Sequence, residues 1–124
     1  YKINGNGISA VTKDHSMVQD MIERGDITAE QARIHPSRNL ITRALGTEVV
    51  VKCDVFTEKL EDGEYLLLCS DGLVNTVTDQ EMLYEVLHDG EAETCLERLL
   101  EISKKRGAPD NITAILMRQD EKGA

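Results

Sequence analysis

The chain has 124 residues, 40% hydrophobic and 30% charged, a composition typical of one small globular domain and not of a disordered segment. Its formal net charge of -9 argues against nucleic acid as a partner, because phosphate backbones are bound through clustered Lys and Arg. We expect no membrane span, since no apolar run approaches the roughly 18 residues required. Cys53, Cys69 and Cys95 form no CxxC pair, which favours free thiols in a reducing, cytoplasmic compartment.

A β-hairpin is predicted over residues 1–11. Its turn is Asn4-Gly5 or Asn6-Gly7, because Asn-Gly suits tight hairpin turns that need positive φ. The chain starts at Tyr1, without Met and already inside this strand. We therefore expect further sequence upstream.

Two short helices are predicted next. Asp14 is placed to cap the first, whose apolar residues recur at helical spacing, and Gly25 ends it. Thr28 and Gln31 have the spacing of a capping box for the second helix. Pro36 ends that helix, since the residue before a proline is disfavoured in the α conformation.

The middle of the chain contains two predicted strands. Residues 39–45 do not decide between strand and helix. Residues 49–56 are rich in β-branched side chains and are predicted to form a strand. Asp62-Gly63 indicates a turn. Residues 65–69 form a short apolar run, as expected of a strand covered on both faces.

The C-terminal part contains two further predicted helices and a last strand. Thr78 and Glu81 form a capping box for a helix that ends at Gly90. Residues 92–106 form a helix with an acidic first turn and a basic last turn, which suits the helix dipole. A final strand covers residues 112–117. Strands mixed with helix pairs, without regular alternation, predict an α+β fold with a largely antiparallel sheet.

Two aspartates are candidate metal ligands. Asp71 directly follows the apolar strand of residues 65–69, and Asp110 lies between the last helix and the last strand. Carboxylates from neighbouring strand ends can converge on Mg²⁺ or Mn²⁺, which prefer oxygen ligands and retain several waters. Asp-Gly and Asp-Asn are also common turn pairs, so a purely structural role for both aspartates stays open.

Other polar residues are weaker candidates. His15 lies at a helix start and His35 precedes a proline in a loop. Arg38 and Arg43 flank Asn39, where they can meet a phosphate group. For each of these residues a surface, helix-capping or loop role is the commoner one.

Six motifs occur in a fixed order along nearly the whole chain. This series resembles the C-terminal half of the bacterial metal-dependent serine/threonine protein phosphatases of the 2C (PPM) type, the partners of Hanks-type serine/threonine kinases. Together the motifs are far more specific than any one of them. The motifs are TKDHS at 12–16, GDITAEQA at 25–32, HPSRN at 35–39, TRALG at 42–46, LLCSDGL at 67–73 and PDNIT at 109–113.

The resemblance implies roles for particular residues. Asp71 and Asp110 match metal-binding aspartates of the family. Ser70, Gly72 and Asn111 match residues that support those ligands. The implied cofactor is Mn²⁺ or Mg²⁺, with two or more ions in the intact site.

The resemblance also implies an architecture. Residues 1–124 match the C-terminal portion of a single catalytic domain, part of a β-sandwich of antiparallel sheets flanked by helix pairs. Residues from about 15 to 40 match a flap beside the active site. Within it, His15, His35 and Arg38 are candidates for contact with the substrate.

The implied activity is hydrolysis of phosphoserine and phosphothreonine in phosphoproteins by metal-activated water. The family's N-terminal segments RxxNED, DGMGG and GDSR, with the remaining metal ligands and a phosphate-binding arginine, have no match here. We therefore expect the isolated chain to be inactive and to associate with itself or with an N-terminal half. A non-catalytic, phosphatase-like binding or regulatory module is the alternative.

Overall fold

The structure, a computed structural model, describes residues 1–89 and 91–120. They divide into two compact units. The first unit contains residues 1–11 and the described residues from 58 onward, and the second contains residues 12–57. In chain order the elements are β1 (Lys2–Asn4), β2 (Gly7–Ser9), α1 (Met17–Glu23), α2 (Ala29–Arg33), β3 (Tyr65–Cys69), α3 (Asp71–Val74), α4 (Asp79–Asp89), α5 (Ala92–Lys105) and β4 (Ala114–Arg118).

The first unit contains a four-stranded sheet with the order β2-β1-β3-β4. Each neighbouring pair is antiparallel, and β3 and β4 pair along their whole lengths from Tyr65↔Arg118 to Cys69↔Ala114. The predicted α+β fold with an antiparallel sheet is therefore confirmed. The two central strands, β1 and β3, are adjacent in the sheet. In sequence, β2 and the whole of the second unit lie between them.

Helices α4 and α5 cover one face of this sheet. Burying a large apolar side chain stabilises the fold by roughly 1.5–3 kcal/mol relative to leaving it exposed. The buried cluster between the sheet and the helices consists of Ile3, Tyr65, Leu67, Leu73, Val77, Met82, Val86, Cys95 and Leu99.

No helix within residues 1–89 and 91–120 combines the length and apolarity needed to cross a membrane.

The other side of the sheet is apolar but open to solvent. We call Leu66, Leu68, Ile115 and Met117 the outer sheet face. Leu66 pairs with Met117, and Leu68 pairs with Ile115. Leu68, Ile115 and Met117 are 47%, 56% and 43% exposed. The prediction that β3 is covered on both faces is therefore wrong for this chain, because its alternate residues point away from α4 and α5.

The capping box predicted for α4 is confirmed. Thr78 N donates to Glu81 Oε1 at 3.1 Å, and Glu81 N donates to Thr78 Oγ1 at 3.3 Å. Arg106, which caps the C-terminus of α5, donates to both carboxylate oxygens of Glu81 at 2.9 and 2.6 Å. The predicted helix stop at Gly90 lies outside the described residues.

In the second unit, one capping prediction is confirmed and another is wrong. Thr28 and Gln31 form the predicted capping box of α2. Ser16, and not Asp14, caps α1, and its hydroxyl accepts a hydrogen bond from Gln19 N at 3.2 Å. An isolated bridge to Ile41 holds Ser16 in an extended conformation, which suits a cap residue.

Residues 49–56 form no strand, contrary to the prediction. Val49, Val50 and Val55 are 104%, 76% and 87% exposed. A strand needs a neighbouring strand for its backbone hydrogen bonds, and no ladder in the described residues includes this segment. Within the undecided segment 39–45, only Ile41 takes part in a bridge.

The N-terminal hairpin is confirmed, but neither predicted Asn-Gly pair forms the centre of its turn. The register Asn4↔Gly7 leaves Gly5 and Asn6 as the two central residues. Neither has positive φ. The side chain of Asn4 accepts a hydrogen bond from Asn6 N at 2.9 Å, and this side-chain bond stabilises the turn.

Candidate metal centre

Asp71 is the first residue of the one-turn helix α3, which the sequence pattern did not predict. Only Ser70 separates it from the end of β3. The carbonyl of Asp71 accepts a hydrogen bond from Asn75 N at 2.9 Å, and Leu73 is buried in the core. The backbone of Asp71 is therefore held between a central strand and an anchored turn, while the residue itself is exposed.

Asp110 lies in the loop between α5 and β4. Gly107 and Ala108 have φ values of 98° and 34°, and the left-handed conformation is uncommon for a residue with a Cβ atom. Ala108 N donates to the carbonyl of Ser103 at 3.0 Å, which ties this turn to the last turn of α5. Asp110 Oδ1 accepts a hydrogen bond from Asn111 N at 2.7 Å. The local backbone thus restrains this carboxylate as well.

Ser70 joins the two aspartate loops. Ser70 N donates to the carbonyl of Thr113 at 2.9 Å, and Thr113 N donates to Ser70 Oγ at 3.0 Å. Ser70 Oγ also donates to the carbonyl of Asn111 over a longer distance of 3.5 Å. These bonds bring the residues before Asp71 next to the residues after Asp110.

Gly72 makes the same connection by close packing. A Cβ atom at position 72 would collide with the carbonyl oxygen of Asn111 and would lie 3.2 Å from Ile112 Cγ1. The structure therefore brings together five of the predicted site residues in one place of the first unit. We call this place the aspartate junction; it consists of Ser70, Asp71, Gly72, Asp110 and Asn111.

The donor chemistry of the aspartate junction fits part of a metal site. Carboxylate oxygens suit Mg²⁺ and Mn²⁺, and such ions usually keep several waters and take few protein ligands. In the described residues, no group of three or more His, Cys, Asp or Glu side chains is placed to hold a metal ion. Asp71 and Asp110 therefore fit as members of a ligand set that other residues must complete.

The candidate flap residues His35 and Arg38 lie together in the second unit. His35 Nδ1 accepts a hydrogen bond from Ser37 N at 3.0 Å. Arg38 donates to the carbonyl of His35 from its backbone N at 3.1 Å and from Nη1 at 3.2 Å. These bonds place both side chains on one tight turn that follows α2.

His15, the third flap candidate, lies in a different cluster of the same unit. Its Nε2 is 2.7 Å from Asp54 Oδ2, and Arg43 Nη1 donates to Asp54 Oδ1 at 3.1 Å. The hydrogen bond from His15, and next that from Arg43, lower the pKa of Asp54 below its ordinary value. Asp54 was not a predicted site residue, because an isolated aspartate between Cys53 and Val55 carries no recognisable motif.

Comparison with known proteins identifies bacterial serine/threonine phosphatases among the relatives. The protein phosphatase PhpP of Streptococcus pneumoniae is 36% identical over 122 residues, which is 98% of this chain and 50% of that protein. Among solved structures, the serine/threonine phosphatase Stp1 of Staphylococcus aureus matches with a TM-score of 0.91 and 37% identity, over 98% of this chain and 48% of that one. The catalytic domain of the phosphatase PstP, in complex with two manganese ions, matches with a TM-score of 0.79 and 33% identity, over 98% and 49% of the two chains.

The chain spans about half the length of the curated relatives it matches first. No family model matches it. The sequence identity and the shared fold both extend over nearly the whole chain. Over nearly its whole length, the chain is therefore similar to the C-terminal half of bacterial 2C-type serine/threonine phosphatases.

Proposed function

We propose that this chain supplies part of the active site of a metal-dependent phosphatase that hydrolyses phosphoserine and phosphothreonine. The aspartate junction carries the proposal: Ser70 and Gly72 hold the loops of Asp71 and Asp110 against each other. A pair of turn aspartates without a shared role needs no such connection. The relatives, named as serine/threonine protein phosphatases, support the reaction class.

Asp71 and Asp110 are the proposed metal ligands, and Mn²⁺ or Mg²⁺ the proposed metals, two or more in the intact site. The two manganese ions in the PstP neighbour support this choice. When bound, the metal supplies Lewis-acid activation of a water molecule for attack on phosphorus. Ser70, Gly72 and Asn111 keep the two carboxylates in place, so that little reorganisation is needed when the metal binds.

The remaining ligands are proposed to come from an N-terminal half, with residues 1–124 as the C-terminal portion of one catalytic domain. PhpP and Stp1 are about twice as long as this chain, which provides for such a half. The outer sheet face is apolar and solvent-exposed, as expected of a sheet that a second layer covers. The isolated chain therefore lacks a complete site and is inactive in this proposal. When no N-terminal half is present, a second copy occupies the same face.

The proposed substrates are phosphoproteins that a Hanks-type kinase has modified, in the cytoplasm. The resemblance of the motifs supports the kinase partner, and the wide spacing of the three cysteines, with no CxxC pair, favours a reducing compartment. Residues from about 15 to 40 are proposed to form the flap. His15, His35 and Arg38 are its candidates for contact with the substrate. Arg38 is exposed on the same turn as His35.

A non-catalytic, phosphatase-like binding or regulatory module is the alternative. Such a module has no need for restrained metal ligands. Asp71 and Asp110 are both present and both restrained in the aspartate junction, which favours catalysis over that alternative.

An assay with p-nitrophenyl phosphate, with and without Mn²⁺, tests the proposal. We expect Mn²⁺-dependent turnover, abolished by EDTA, from the whole phosphatase that contains this chain as its C-terminal half. We expect none from the isolated chain. A folded whole protein without Mn²⁺-dependent turnover on this substrate or on phosphopeptides would favour the binding module. Turnover by the isolated chain would show that two carboxylates suffice or that copies complete each other's sites.

A further inference from the structure

The second unit, residues 12–57, has almost no apolar core of its own. Ala32 is its one buried residue, and the structure describes every residue of this unit. Its helices α1 and α2 are seven and five residues long. Helices of this length are not stable in isolation. The conformation of the unit therefore depends on hydrogen bonds and ion pairs between its segments.

Two of these segments are already joined through their backbones. Thr42 N donates to the carbonyl of His15 at 2.9 Å, and Met17 N donates to the carbonyl of Leu40 at 3.0 Å. The residues around His15 and those around Arg43 are consequently neighbours, and the Asp54 carboxylate bonds to a side chain on each of these two segments.

The third segment, residues 49–57, which leads back to the first unit, depends on side chains. Its bonds to the rest of the unit are the two that the Asp54 carboxylate makes and one from Arg43 Nη1 to the carbonyl of Lys52 at 3.2 Å. The side chains of His15, Asp54 and Arg43 are only 25%, 28% and 31% exposed, whereas the valines nearby are open to solvent. The contact between these three residues is thus the most shielded part of an exposed segment.

We propose that Asp54 is a positioning residue whose carboxylate clasps residues 49–57 to His15 and Arg43 and thereby sets the conformation of the flap. An ionised carboxylate accepts one charge-assisted hydrogen bond on each oxygen, a pattern that an amide cannot reproduce. The lowered pKa of Asp54 agrees with this arrangement. The consequence for substrate rests on the proposed function, whereas the clasp rests on these contacts alone.

Hydrogen–deuterium exchange of the 124-residue chain tests the clasp. We expect Asp54→Asn to speed exchange of the Met17 and Thr42 amides about tenfold. In the native chain, the local opening that exposes these amides must also break the charge-assisted bonds of Asp54, whereas in the variant these bonds are absent and opening is easier. Amides of the β3–β4 ladder should keep their rates, which would show that the first unit is intact. Unchanged exchange at both amides would overturn the proposal.

Two control variants separate the charge from simple disturbance of the segment. Asp54→Glu keeps the carboxylate and should restore most of the protection. Exchange as fast as in Asp54→Asn would overturn the role of the carboxylate. Glu48→Gln removes an exposed carboxylate of the same unit and should leave both amides unchanged. An equal effect of Glu48→Gln would mean that any loss of charge loosens the unit.

Kinetics of the whole phosphatase test the consequence for substrate. We expect Asp54→Asn to raise KM for a phosphopeptide about fivefold and to change kcat for p-nitrophenyl phosphate by less than about twofold, since a flap contacts the peptide and not the reacting atoms. An unchanged KM would overturn the effect on the flap. If the unsubstituted protein shows no Mn²⁺-dependent turnover, the proposed function fails, and exchange still decides the clasp.

Discussion

Gly72 packs so closely against the backbone carbonyl of Asn111 that no side chain fits between them. The contact connects the helix turn that carries Asp71 to the loop that carries Asp110. It explains, without reference to any metal, why glycine stands at position 72. The position of the Asp71 turn relative to the Asp110 loop depends on this contact.

Gly72→Ala should therefore weaken both the fold and the site. We expect a loss of about 1–3 kcal/mol in the free energy of unfolding, because the backbone at position 111 must move to admit the methyl group. Urea denaturation of the chain measures this loss. Gly5→Ala is the matched control, since a Cβ atom there meets nothing within 4 Å and Gly5 does not have positive φ. Equal stability of the two variants would contradict the close packing at the aspartate junction.

Asp71→Asn and Asp110→Asn should each abolish Mn²⁺-dependent turnover in the whole phosphatase. We expect kcat/KM to fall about a hundredfold or more, because an amide lacks the negative charge of a carboxylate and binds these hard cations more weakly. Asp62→Asn, at the exposed turn before β3, is the control for loss of an aspartate. Mn²⁺ titration followed by electron paramagnetic resonance provides a second measurement. Near-normal activity of either site variant would reject its assignment as a metal ligand.

The ion pair between Glu81 and Arg106 should make the first unit more stable near neutral pH than in acid. The hydrogen bond from Arg106, with further bonds from Thr78, lowers the pKa of Glu81 from 4.5 to about 2. A carboxyl whose pKa is lowered on folding contributes stability above its unfolded pKa, and this contribution is lost as the pH falls from about 4.5 towards 2. The side chains of Glu81 and Arg106 are 31% and 46% exposed. After solvent screening we expect a contribution of about 1 kcal/mol.

Urea midpoints at pH 7 and pH 3 measure this contribution. Glu81→Gln should lower the urea midpoint at pH 7. The difference in midpoint between this variant and the unsubstituted chain should be smaller at pH 3. Glu97→Gln, an exposed glutamate in the middle of α5, should show little change at either pH. A gap for Glu81→Gln that is the same at both pH values would mean that the carboxylate charge does not stabilise the fold.

The isolated chain should self-associate through the outer sheet face. Leu68 and Ile115 pair directly across β3 and β4, and both are about half exposed, so their contact with a second apolar surface is favourable. Sedimentation velocity over a range of concentrations measures the association, and we expect Leu68→Lys to shift the chain towards monomer. Leu100→Lys, at a partly exposed leucine on α5, is the control. A monomer at every concentration would count against the proposal that this face is normally covered.

Local signals in the sequence predicted much of this structure. The capping boxes of Thr28 with Gln31 and of Thr78 with Glu81 form as expected, because both partners lie within four residues of each other. The apolar run of residues 65–69 forms β3. The paired motifs around Asp71 and Asp110 pointed to relatives that the comparisons then identified. In each case the deciding contacts join residues that are close in sequence, or the motif is specific to one kind of protein.

Tertiary contacts decided the rest. Residues 49–56 have strand-forming side chains but no neighbouring strand, so they remain irregular. Ser16, and not the predicted Asp14, caps α1, because a bridge to Ile41, which is distant in sequence, holds the Ser16 backbone in an extended conformation. The sequence alone pointed to Asp71 and Asp110 as the candidate metal ligands of the aspartate junction. Only the fold brought Ser70 to Thr113 and Asp54 to His15, because these contacts join residues about 40 positions apart and no local pattern encodes such distances.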